Sequence, residues 1–126
     1  NKILITAHVC LSSTFFITHC GLFRDTSTEI GLADSNGSRP RSFLESAIDD
    51  DNEADGEVHR LSNSFLDSPN TTSQVNYGLK MARRYDGTSS NYSYFNRSSP
   101  DRTLPVGNVT YDSRYISTMH VMEIAQ

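Results

Sequence analysis

With 126 residues and a net charge of −4, the chain fits one domain, residues 1–126, and self-repulsion does not forbid a compact state. Leu, Ile, Val and Phe total 28 and gather in 3–23, 43–66 and 104–124, so a folded body with long polar loops is expected, not a disordered chain. Nine of the eleven basic residues are Arg, yet no basic stripe forms, and the densest charge is the acidic run Glu45 to Glu57; this excludes nucleic acid as a partner and gives no basic amphipathic stretch for a membrane surface.

In chain order, Ile3, Ile5, Ala7, Val9 and Leu11 are apolar at period two, the pattern of a half-buried strand. Ser12-Ser13-Thr14 then turns the chain and Phe15 to Phe23 returns, so residues 1–23 read as an N-terminal β-hairpin. The other reading of this stretch is an uncleaved signal-like segment, with Lys2 ahead of an apolar run. That run is too short and too interrupted to span a membrane.

Residues 24–42 form a polar loop. Residues 41–48 suit a short helix with Phe43, Leu44, Ala47 and Ile48 on one face. Val58, Leu61, Phe65 and Leu66 continue a helix-like spacing. After Pro69, Asn70 or Thr72 caps another helix through Tyr85, with Val75, Leu79 and Ala82 inward. Residues 86–105 are a second polar loop. Strand character returns at Val106, Val109 and Tyr111, and again from Tyr115 to Ile124. The expected fold is α+β, with terminal strands or hairpins flanking one or two short central helices.

Five of the nine asparagines begin N-glycosylation sequons, at Asn36, Asn70, Asn91, Asn96 and Asn108. They point to a chain that passes through the secretory pathway and carries N-linked glycans at the cell surface or outside it. Cys10 and Cys20 permit one disulfide, within the chain or between chains. A tight hairpin would hold them several residues out of register, beyond the ~5.5 Å a disulfide needs.

Asp51-x-Glu53-x-Asp55-Gly56-x-Val58 resembles the start of an EF-hand-like calcium loop. Ser62 stands where the closing bidentate Glu belongs, so at best the three acids make a weak calcium site. No other cofactor is expected. His8, Cys10, His19 and Cys20 are zinc-ligand types, but neighbours on a strand point to opposite faces and cannot share one metal. Among the catalytic signatures, neither a nucleophile elbow nor His-Glu-x-x-His nor a phosphate loop occurs, and His120 reads as a strand residue. An enzyme is not expected. Tyr92, Tyr94, Phe95 and Arg97 have the composition of an interaction hot spot. The expected function is a non-enzymatic glycoprotein module for assembly or protein binding, pairing through its N-terminal strand. The alternatives are a secreted effector or ligand, and a calcium-dependent module.

Overall fold

The computed structural model describes residues 1–13, 16–48, 58–83, 93–97 and 114–125. Eight strands run through them in chain order: β1 Lys2–Ser13, β2 Phe16–Arg24, β3 Thr28–Ile30, β4 Leu44–Ile48, β5 His59–Asp67, β6 Tyr77–Arg83, β7 Ser93–Phe95 and β8 Thr118–Ile124. They form two antiparallel sheets. In the first, β1 is central, with β5 along one side and β8 and β7 end to end along the other. In the second, β2 is central, with β6 on one side and β4 and β3 end to end on the other.

The sheets pack face to face around a small core. Ile5, Ala7, Val9 and Leu11 of β1 meet Cys20 and Leu22 of β2, with Phe43 and Leu44 closing one side. Alternation explains why these residues are inside. Successive side chains on a strand point to opposite faces, so the odd residues of β1 and the even residues of β2 each make one inward row.

The α+β expectation is therefore corrected: among the described residues the fold is all-β, with no helix. The stretch expected as a helix over 41–48 contains β4. The helix-like spacing of Leu61, Phe65 and Leu66 belongs to β5, whose inner face at period two reads His59, Leu61, Asn63, Phe65 and Asp67. Three polar residues in that row hid the alternation. The third expected helix contains β6, where Tyr77, Leu79 and Met81 pack against the core and Gly78, Lys80 and Ala82 fall on the other face.

The N-terminal hairpin is corrected too. Both of its strands exist, but the described ladders pair β1 with β5, β7 and β8, and β2 with β3, β4 and β6. Between residues 13 and 16 the chain passes from one sheet to the other. The two apolar rows then face each other across the core, where a hairpin would set them side by side.

Polar side chains tie the two layers together. Asp67 on β5 is buried, and it accepts hydrogen bonds from Arg24 Nη1 at 3.0 and 3.1 Å and from the Tyr77 hydroxyl at 2.8 Å. The Asn63 amide donates to the Phe43 carbonyl at 2.8 Å, and His59 Nδ1 lies 2.9 Å from the Ser46 hydroxyl. At the far end of the core Thr18 and Ser93 join their hydroxyls at 2.7 Å. Among the described residues no buried side-chain polar atom lacks a partner. That matters because an unpaired buried group costs about 1–3 kcal/mol. Gly31 (φ +67°) ends β3 in the left-handed region, with the Phe43 and Phe65 rings so close that a Cβ would come 3.0 Å from the first.

Candidate binding edge

β8 is the surface feature that stands apart. Its ladder aligns Met119, Val121 and Glu123 with Ala7, Ile5 and Ile3 of β1, so these three point to the core side of the sheet. Among the described residues no strand of the second sheet covers them, and all seven residues of β8 are exposed. The opposite face carries Met122 and Ile124, 60% and 38% exposed. There Met122 stands across from Leu4, and Leu4 across from exposed Leu66, giving an apolar row three strands wide.

The second edge of β8 carries no ladder among the described residues. An open edge strand exposes a row of backbone donors and acceptors, and proteins usually blunt it with charge, proline or a bulge. The outer strands β5 and β6 follow that rule, with Arg60, Asn63 and Asp67 on one and Lys80 on the other. β8 reads Thr-Met-His-Val-Met-Glu-Ile, with four large apolar residues shared between both faces and Glu123 its only acid.

On the core side of β8 lies an open groove of about 600 Å³, with Val121 and Glu123 on one wall and Thr71, Gln74, Val75 and Tyr77 on the other. Asn70, exposed and in the left-handed region, sits between two residues that line this groove, Pro69 and Thr71. A second cleft, about 290 Å³, opens on the outer face of the same sheet beside His8, Cys10, Arg60 and Tyr115. The Arg60 guanidinium lies 5.4 Å from the centre of the Tyr115 ring. Ser117 clamps this corner: its hydroxyl accepts from the Cys10 amide at 2.9 Å and donates to Asn96 Oδ1 at 2.5 Å.

The structure disperses the other sequence candidates. Asn36 lies exposed at the start of a turn closed by the Arg39 amide on its carbonyl. Asn96 is half-buried and structural: its amide donates to the Cys10 carbonyl, its carbonyl accepts from Tyr115, and its side chain holds Ser117. Asn91, Asn108 and Tyr92 lie outside the described residues, as do Asp51, Glu53 and Asp55 of the calcium-loop resemblance. Tyr94 and Phe95 belong to β7 and are half-buried, Phe95 against the core; the Arg97 guanidinium stacks 4.4 Å from the Tyr94 ring centre.

Cys10 and Cys20 are both buried free thiols. Cys20 is in the core between the sheets, where burial pushes its thiol up to about 11 and keeps it protonated. Cys10 is on the opposite face of β1, under the Ile116 carbonyl. Sheet assignment separates them, not the register of a hairpin. His8 and Cys10 share the outer face of β1, but His19 and Cys20 are on β2 in the other sheet, and among the described residues no group of three or more His, Cys, Asp or Glu gathers.

The nearest approach to a catalytic constellation is on the outer face of the second sheet. His19 Nδ1 lies 2.6 Å from the Ser42 hydroxyl and 3.0 Å from Glu45 Oε2. A nucleophile–base–acid relay needs the serine and the carboxylate on different ring nitrogens, so that one orients the ring while the other exchanges the proton. Here both crowd the same nitrogen. The trio is a local hydrogen-bonded cluster, in which the Ser42 hydroxyl also lies 3.5 Å from Glu45 Oε2.

The edge position of β8 was not legible in advance. Residues 115–124 read as a β segment, but nothing local says which strand has a free side. One signal was present: apolar residues at both parities, Met119 and Val121 as well as Met122 and Ile124, with no Lys, Pro or Gly among them. The N-terminal strand, expected to be the pairing surface, has a neighbour along each side and is not an edge. Among the described residues no helix is long and apolar enough to cross a membrane. No family model, curated protein or solved structure matches this chain.

Proposed function

We propose that this chain is a non-enzymatic, N-glycosylated β-sandwich module of the cell surface or extracellular space, and that it binds protein by adding a partner strand along β8. One observation carries the reading: among the described residues β8 is an edge strand with no partner on its second side, apolar and exposed on both faces. Strand addition draws affinity from backbone hydrogen bonds along such an edge and specificity from alternate side chains. The groove beside Val121 supplies a place for those side chains on the core side, and the Leu66–Leu4–Met122 row supplies one on the other.

One further feature supports the extracellular part: Asn36 and Asn70 are both exposed outside the strands. The crowded nitrogen of His19 supports the non-enzymatic part.

Selection of a phage-displayed peptide library on the purified protein tests the binding mode. Peptides alternating apolar and polar residues are expected to enrich, and the enrichment is expected to vanish on Val121→Lys. Enrichment no higher than on a blank surface sinks the reading. Intact mass of native-source protein before and after removal of N-linked glycans tests the glycoprotein part, which an unchanged mass would refute.

A further inference from the structure

We infer that the strand added along β8 is β8 of a second copy, paired antiparallel about a two-fold axis at Val121. This rests on the reading of β8 as a strand-addition edge and goes further by naming the occupant. The argument is one of self-complementarity. β8 has seven residues, Thr118–Ile124, with Val121 at the centre. Pairing about that centre is the register that opposes every residue of one copy to a residue of the other. It also keeps core-side residues beside core-side residues, because the side-chain period is two.

The chemistry of that register is favourable. Val121 meets its own mate, and Met119 of each copy stands diagonal to that pair and opposite Glu123, so the core side gains an apolar centre with a carboxylate at each end. On the outer face His120 stands opposite Met122, and Thr118 opposite Ile124. The one acidic residue of the strand, Glu123, falls opposite Met119 and about 14 Å from its mate, so no like charges oppose each other. The product is one sheet running β5–β1–β8–β8–β1–β5 across two protomers, with β5 as its outer strand. There Arg60, Asn63 and Asp67 blunt the edge, so growth stops at the dimer.

Size sets the strength. An edge of about 24 Å buries less than the roughly 800 Å² per partner of a standard stable interface. A reversible dimer dissociating in the micromolar range is expected.

Cysteine substitutions on β8, made in a background with Cys10 and Cys20 replaced by serine, test the register. In the proposed pairing two Val121 Cα atoms lie about 5 Å apart, within disulfide reach, while two Thr118 Cα atoms lie about 20 Å apart. Under mild oxidation Val121→Cys is expected to form a disulfide-linked dimer at least roughly tenfold faster than Thr118→Cys. Sedimentation of the unmodified protein is expected to show a concentration-dependent dimer, and Val121→Lys a monomer with an unchanged melting temperature. Equal cross-linking by the two cysteine variants overturns the register. A wild-type monomer throughout the micromolar range overturns the second copy as occupant. If that monomer still enriches alternating peptides, strand addition at β8 stands and only the self-pairing falls; if it enriches none, both fall.

Discussion

β5 and β8 flank the same strand, β1, yet their core-side rows invert the usual pattern. β5 presents His59, Asn63 and Asp67 toward the second sheet, and each finds a partner there. β8 presents Met119 and Val121 to the same side, and both stay exposed. Polarity thus sits where the sandwich is closed and apolarity where it is open. On the β5 side, directional bonds fix how the two sheets align, a job that a thin apolar core does poorly because hydrophobic attraction has no direction. On the β8 side the apolar residues have nothing in this chain to meet among the described residues, which leaves an apolar patch in solvent.

The contrast breaks most severely at Asp67. Asp67→Ala leaves Arg24 without its carboxylate and Tyr77 without its acceptor, and is expected to cost about 3 kcal/mol in urea unfolding. A loss under about 0.5 kcal/mol would show that the tie between the sheets is incidental.

Alkali probes the closed side next. Burial, and then the hydrogen bond to Asp67, push the Tyr77 hydroxyl up to about 12, while burial pushes Cys20 up to about 11, from ordinary values of 10.0 and 9.0. The folded state holds both protons more tightly than the unfolded chain. Their contribution is therefore complete below about pH 9 and is lost as pH rises through 11 and 12. The melting temperature is expected to fall across that window, and Tyr77→Phe to flatten its upper part. A flat profile from pH 9 to 12 would contradict the burial of Cys20 and the hydrogen bond between Tyr77 and Asp67.

Asn63→Ala is a gentler cut. It strips the Phe43 carbonyl of its partner and is expected to cost about 1 kcal/mol. Val121→Lys should do least to the fold, within about 0.5 kcal/mol of wild type in thermal unfolding, while abolishing association. If Val121→Lys proved as destabilising as Asn63→Ala, β8 would be core rather than interface, and the comparison would collapse.

Strand parity was legible for β1, whose period-two row needed no further information. Residues 16–24 and 118–124 were also recognisable as β. β5 and β4 were not, because polar residues interrupt their inward rows and gain their meaning only from a partner across the core. Ser46 and His59 explain each other, and neither reads as a core position alone. β6 alternates cleanly at Tyr77, Leu79 and Met81, but Val75 and Ala82 offered a competing helical spacing. Of the candidate sites, the sequons were fully visible as motifs, whereas the structural role of Asn96 depends on Cys10 and Ser117, 86 and 21 residues away.

By itself the sequence determined which side chains of β1 must be hidden, and that a second strand follows it. It could not determine whether those strands lie side by side or face to face. A hairpin sets Leu11 and Val9 beside the inward residues of β2 in one sheet; the observed crossing sets the same residues opposite one another across a core. Both arrangements hide the same rows, so local pattern is blind to the choice. Only the long-range ladders, β5 and β8 on β1 and β4 and β6 on β2, decided it. In taking both sides of the N-terminal strand, they moved the open edge to the other end of the chain.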